Sequence, residues 1–193
     1  MEISKLHVGK IYISLFLVAI AVSGCSKSNA EFPAMANSEE WQVIRVSDGD
    51  TMVVRQTDGR EKKLRLCGID APEKAQPLGK ESKANLQRLV NEVEGTVSVT
   101  EIESDRYGRT VAEVFSSKNG MEKSLNEEQL SSGNAYLYRQ YADKCPNKIA
   151  FGNAERIAQS KKLGVWRDSS TVPPWEFRKR QRQNTKLSNL DAR

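Results

Sequence analysis

Apolar and polar positions alternate through residues 41–46 (WQVIRV), a period of two that reads as a strand with one buried face. A polar break at Ser47-Asp48-Gly49-Asp50 precedes a second apolar run, residues 51–55 (TMVVR). Asp58-Gly59 then signals a hairpin into a third strand over residues 63–69. Alternation along that strand puts Leu64, Leu66 and Gly68 on one face and Arg65, Cys67 and Ile69 on the other. The period shifts over residues 79–93, where Leu86, Leu89, Val90 and Val93 recur at helical spacing. Residues 96–102 (TVSVTEI) and 110–115 (TVAEVF) predict a strand pair joined across residues 105–109. Ser124 and Glu127 have capping-box spacing and open a short helix ending near Gly133. Residues 135–138 form a short extended piece. A last helix is expected over residues 147–163, with Ile149, Ile157 and Ala158 on its apolar face and Gly164 as its stop. Three strands, a helix, two strands and two helices predict an α+β fold, a small barrel closed by five strands with helices on one side.

The pattern also divides the chain. Residues 11–22 (IYISLFLVAIAV) form an apolar run after a weakly basic start carrying Lys5 and Lys10. About a dozen residues is short of the roughly 20 a spanning helix needs and suits the core of an export signal. Val22-Ser23-Gly24-Cys25 resembles the lipobox of bacterial lipoproteins, in which the cysteine is lipidated and becomes the mature N-terminus. The alternative is an ordinary signal peptide with a chance cysteine. The divisions expected are a signal over residues 1–24, a polar tether over 25–40, a folded domain over 41–168 and a basic tail over 169–193. Export followed by lipid anchoring would place the protein at the cell envelope, on the outer membrane in a Gram-negative host, and secretion is the alternative. With Cys25 acylated, Cys67 and Cys145 remain, as a disulfide in an oxidising compartment or as two buried thiols.

Charge and composition narrow the chemistry. The chain of 193 residues carries a formal charge of +5, but residues 175–193 alone hold six Lys/Arg against Glu176 and Asp191. The tail is therefore +4, residues 25–174 are neutral, and the basic character belongs to the tail. Such a tail suits polyanions or anionic headgroups, or serves as a solvated end. The single histidine, His7, lies in the export segment. The mature chain thus has no histidine base and no Ser-His-Asp or Cys-His arrangement, and three cysteines cannot build a four-thiolate zinc site. Carboxylates, arginines, tyrosines and an oxygen-ligated metal are left.

Three clusters carry those residue types: Asp48-Gly49-Asp50-Thr51, Asp70-Ala71-Pro72-Glu73, and Asp105 with Tyr107 and Arg109. Each alone reads first as a polar turn, and Arg65 alone as a solvated strand residue. The strand order, however, brings the start of strand two to the end of strand three. Asp50, Asp70 and the Ala71 carbonyl would then offer hard oxygens that suit Ca²⁺. Glu73 is near enough to hold a water, and Arg65 and Arg109 supply guanidinium forks that match phosphate. Phosphodiester hydrolysis has a use for all of these at once.

The segments Asp48-Gly49-Asp50-Thr51, Arg65-Leu66-Cys67-Gly68-Ile69-Asp70-Ala71-Pro72-Glu73 and Asp105-Arg106-Tyr107-Gly108-Arg109 resemble the thermonuclease family, typified by staphylococcal nuclease. The likeness continues through Ala135-Tyr136-Leu137-Tyr138 to Gly164-Val165-Trp166 and spans about residues 41–166. It implies an OB-fold five-stranded β-barrel with three α-helices and a monomeric, Ca²⁺-dependent, sugar-nonspecific endonuclease. Its substrates would be DNA and RNA, single strands favoured, and its products would carry 5′-hydroxyl and 3′-phosphate ends. By position, Arg65, Glu73 and Arg109 would be catalytic. Asp50, Asp70 and Ala71 would bind metal, and Tyr107, Tyr136 and Tyr138 would contact nucleotide. Packing in the barrel wall is the other reading of these tyrosines, and of Tyr138 above all. Ala71 stands where the staphylococcal enzyme has threonine, a change that keeps a carbonyl but loses a hydroxyl. The loop over residues 139–147 is longer than in the staphylococcal protein, and a Cys67–Cys145 bridge would pin it beside the site. Two rival expectations stand: a non-catalytic OB-fold lipoprotein that captures extracellular nucleic acid, and a surface lipoprotein whose tail docks a protein or membrane partner.

Overall fold

A computed structural model describes residues 38–191. The signal, the Cys25 lipidation site and most of the tether fall outside these residues. The chain order is β1 (Glu39–Val46), β2 (Thr51–Arg55), β3 (Glu61–Leu66), β4 (Ile69–Asp70), α1 (Gly79–Asn91), β5 (Thr96–Ser104), β6 (Thr110–Lys118) and β7 (Met121–Ser124). Then follow α2 (Leu125–Ser131), β8 (Tyr136–Leu137), α3 (Arg139–Ala142), α4 (Lys148–Ser160), a 3₁₀ turn (Gly164–Trp166) and α5 (Pro174–Asp191).

Alternating burial builds the barrel. β1, β2 and β3 form an antiparallel meander, β1 also pairs with β5, and β5 pairs with β6. A parallel pairing of β3 with β6, from Leu64↔Thr110 to Leu66↔Ala112, closes five strands into the OB-type barrel. Met52, Val54, Leu64, Leu66, Val99 and Val114 fill the interior, all but inaccessible to solvent. Each such side chain contributes about 1.5–3 kcal/mol on burial. α2 packs on α4 and on β6, with the Ser124 hydroxyl accepting the Glu127 N–H as the capping box requires.

The third strand is shorter than its pattern suggests. Pairing with β2 ends at Arg65, and the chain turns at Cys67-Gly68 before β4 pairs with β8 in a separate two-stranded sheet. The turn needs glycine: Gly68 has φ +71°, and a Cβ there would lie 2.9 Å from Cys145 Sγ and 3.1 Å from the Phe151 ring. Alternation is broken by the turn, so Cys67 enters the core and does not share the face of Arg65.

The last predicted helix forms, but with a different buried face. Phe151, Ala154, Glu155 and Ala158 point inward at i, i+3, i+4 and i+7, whereas Ile149 is 77% exposed and Ile157 45%. The barrel carries the three expected helices as α1, α2 and α4, and two more are present among the described residues, α3 and α5. α5 turns most of the expected basic tail into an 18-residue helix beginning at Pro174, a residue suited to the first helical position.

Candidate active site

The loop between β1 and β2 is shaped around Gly49. A Cβ there would stand 1.8 Å from Ser82 Oγ and 2.8 Å from Ala71 Cβ, so only glycine lets the loop lie against α1 and the segment after β4. Buried Gln129 donates to Gly49 O (2.5 Å) and fixes the loop from beneath. Asp50 follows, buried, with Thr51 Oγ1 donating to its Oδ1 (3.0 Å) and Ala71 N to its Oδ2 (2.7 Å). Thr51 pairs with Arg65 across β2 and β3, which brings the guanidinium of Arg65 to the same place. Its Nη1 lies 2.6 Å from Asp50 Oδ2, and its Nη2 donates to Asp70 Oδ1 at 2.9 Å. Asp70, 1% exposed, is set by its pairing with Tyr136. Burial pushes the Asp50 carboxyl up to about 7, with Asp48 and Asp70 adding to the rise and Arg65 and the Ala71 N–H opposing it.

Glu73 sits at the mouth. Gln76 holds its backbone, accepting the Glu73 N–H at 2.8 Å and returning its own N–H to Glu73 O. The side chain of Glu73 is 41% exposed and accepts a hydrogen bond from Arg178 Nη1 (2.8 Å). The same guanidinium donates to Asp70 Oδ1 (3.1 Å) and Oδ2 (2.8 Å). Arg178 therefore joins Asp70 to Glu73, and it comes from α5, the segment the sequence pattern left as a basic tail.

Arg109 is held apart from these carboxylates. Asp105 Oδ1 accepts the backbone N–H groups of Tyr107 and Arg109, and Arg109 Nε donates to Asp105 Oδ2 at 2.7 Å. Burial alone would raise the Asp105 carboxyl, but these hydrogen bonds and the Arg109 charge outweigh it and hold it below the usual range. The β3–β6 register puts Arg109 one residue before Thr110, the partner of Leu64, and two before Val111, the partner of Arg65. No hydrogen bond or ion pair joins it to Asp50, Asp70 or Glu73 among the described residues. Tyr107, 69% exposed, lies beside the guanidinium groups of Arg106 and Arg109 at 4.9 and 5.7 Å from its ring.

An open cleft of about 850 Å³ runs alongside, walled by Tyr136, Tyr138, Trp166 and Trp175. Tyr136 is buried, edge-on to Trp166 (5.0 Å) and to Trp175 (5.6 Å), and burial pushes its hydroxyl up to about 12. Tyr138 is partly exposed and stacks on Trp175 at 5.4 Å with the rings 9° from parallel. Burial, then the Asp70 and Tyr141 charges, raises its pKa. Cys67 and Cys145 form a disulfide, Cα atoms 6.0 Å apart, that ties the α3–α4 loop to the turn leading into Asp70.

The arrangement brings together Asp50, Arg65, Asp70 and Glu73, and places Tyr136 and Tyr138 in one cleft. Sequence reasoning missed Trp175 and Arg178, and also Gln76 and Gln129, which carry no motif. Among the described residues no group of three or more His, Cys, Asp or Glu gathers at metal-binding distance. The donor set is a carboxylate pair, and one guanidinium touching both acids shows that they face a common point. Buried hard oxygens that face a common point suit an oxygen-liking cation completed by backbone carbonyl and water. The residues thus fit Ca²⁺.

A family model described as staphylococcal nuclease homologue matches residues 63–168, which include Arg65, Asp70, Glu73 and Arg109 and stop before α5. An uncharacterized endonuclease of Haemophilus influenzae is 32% identical, over 89% of this chain and 85% of that protein. An uncharacterized endonuclease of Escherichia coli O157:H7 is 36% identical, over 78% of this chain and 92% of its own length. A thermonuclease of Staphylococcus hyicus is 29% identical, over 84% and 98% respectively.

Proposed function

The chain belongs to the staphylococcal nuclease homologue family, and from that premise we propose that it is a Ca²⁺-dependent, sugar-nonspecific endonuclease. DNA and RNA are the substrates, and the products carry 5′-hydroxyl and 3′-phosphate ends. The observation that carries this reading is the convergence of Asp50, Arg65, Asp70 and Glu73 at the mouth of one barrel, beside an aromatic cleft. Asp50 and Asp70, with the Ala71 carbonyl, would hold the cation. When bound, Ca²⁺ supplies positive charge to a phosphoryl oxygen.

The chain's own groups do the rest. Glu73, exposed enough to meet water, orients the attacking water and takes its proton as the oxygen bonds to phosphorus. The bond from phosphorus to the 5′ oxygen breaks, that oxygen takes a proton from solvent water to leave as the hydroxyl, and Glu73 returns its proton to solvent. Arg65 and Arg109 stabilise the charge that builds on the equatorial oxygens, with guanidinium forks that match phosphate. Arg109 needs to exchange its Asp105 contact for phosphate, and its place on the rim makes that a side-chain movement only. Tyr136 and Tyr138 wall the nucleotide site and Tyr107 meets substrate at its edge; stacking of this kind is tolerant of sequence and favours single strands. We extend the proposal to a monomer exported and anchored through Cys25, a residue outside those the structure describes.

Glu73→Gln and Arg109→Ala should each lower turnover at least about 100-fold, the order of one lost electrostatic donor, while leaving the melting curve in place. Near-normal turnover in either variant would remove that residue from the chemistry. Tight binding of nucleic acid without cutting by the unmodified chain would favour capture over catalysis.

A further inference from the structure

Arg178 meets both oxygens of Asp70 and one oxygen of Glu73, at 2.8–3.1 Å. These are the acids to which the proposed function gives the metal and the water. One turn earlier on the same helix, Trp175 stacks on Tyr138 and meets Tyr136 edge-on. A single turn of α5 thus covers both places that substrate and cation would use.

The conflict is electrostatic and steric. An oxygen-ligated Ca²⁺ stands 2.3–2.6 Å from its ligands, and Arg178 already donates to both Asp70 oxygens from 2.8 and 3.1 Å. Asp70 already accepts from Arg65 as well as from Arg178, and a Ca²⁺ on the same carboxylate repels both guanidinium groups. Arginine cannot escape by losing its proton. Arg65 is fixed on β3 within the barrel, whereas Arg178 is carried by α5, so Arg178 is the group that can give way.

α5 is held in a way that allows it to leave. Pro174 is buried and Trp175, Phe177 and Arg178 are partly so, but every residue of 179–188 is exposed. Among the described side chains of α5, only those of its first turn are buried or partly buried. The preceding residues 167–170 are also exposed, and Gln76 Nε2 donating to Val172 O (3.0 Å) is the tie between the entry to α5 and the Glu73 loop.

We propose that α5 is an autoinhibitory latch: Arg178 occupies Asp70 and Glu73 in place of the cation, Trp175 covers Tyr136 and Tyr138, and cation binding requires this first turn to withdraw. The proposal rests on the calcium reading of Asp50 and Asp70. By linkage, whatever favours the docked latch weakens the cation, and the cation loosens the latch by the same factor. The five Lys/Arg of the helix would move with it, so a polyanion that attracts them also pulls the latch open.

The test is Ca²⁺ binding to the full chain by titration calorimetry without nucleic acid, comparing the unmodified protein with Arg178→Gln and Asp50→Asn. Hydrogen exchange of the α5 amides, with and without Ca²⁺, is measured on the unmodified chain. The latch predicts that Arg178→Gln, still folded, binds Ca²⁺ at least tenfold more tightly. It also predicts that Ca²⁺ speeds exchange in the first turn of α5. Equal or weaker binding by the folded Arg178→Gln variant overturns the latch while leaving the calcium site standing, and so does an α5 equally protected in both conditions. Absence of Ca²⁺ binding in all three proteins, or binding that survives Asp50→Asn undiminished, refutes the calcium reading itself and the latch with it.

Discussion

A hydrogen atom is all that residue 49 can carry. Ser82, which the missing Cβ would strike, is fully buried and donates to Asn134 O at 2.6 Å, so it cannot turn aside without losing a hydrogen bond. Gly49→Ala should cost about 1–3 kcal/mol, as overpacking does. Urea denaturation measures it, and a midpoint equal to the parent's would mean that the loop yields freely. Glu113 makes a second case. It is fully buried, and burial raises its pKa above the ordinary 4.5, against the two hydrogen bonds from Asn147 that lower it. A raised folded value means that the fold favours the protonated acid, so its contribution is complete below pH 4.5 and is lost as pH rises through the raised value. Denaturation of the parent and Glu113→Gln across pH 4–8 should show the parent losing ground to the variant as pH increases. A constant difference would contradict this. Of such residues, Asp50, Arg65, Asp70 and Glu73 were legible in the sequence because their clusters, each weak alone, are chemically specific in combination. Arg178 was not, since 105 residues separate it from Glu73 and a lone arginine in a basic run carries no signature.

The strands and helices of the barrel follow the hydrophobic period closely, and the exceptions have local causes. The hairpin of β6 and β7 was missed although Asn119-Gly120 is a strong turn signal. Both residues have positive φ, as a type I′ turn requires, but the strand that follows is polar and only four residues long. The third strand is shorter than its alternation predicts because Gly68 continues the alternation in sequence while turning the backbone in space. In α4, Ile149 and Ile157 drew the apolar face away from the true one because buried Glu155 reads as polar. Its carboxylate accepts the Leu137 N–H and pairs with Arg139. The disulfide closes a sequence separation of 78 and couples α3, α4 and the Gly68 turn. Reduction should lower stability by about 2–5 kcal/mol. Calorimetric melting with and without reductant reads this directly, and an unchanged transition with both thiols shown to be free would contradict it.

In the whole molecule, a neutral barrel carries its surplus positive charge on a helix attached at one end, over the mouth of its own site. The sequence led to the barrel and to the four residues at its mouth, and it located the surplus charge. It could not show that the charge returns to the carboxylates, because that contact depends on where the barrel ends and not on any local pattern. The most direct measurement is cleavage of single-stranded and duplex DNA by the full chain, in Ca²⁺ and in chelator, with the product ends identified. Calcium-dependent cutting that leaves 5′-hydroxyl and 3′-phosphate termini is the predicted result. Cutting that persists in chelator, or binding with no cutting in Ca²⁺, would contradict it.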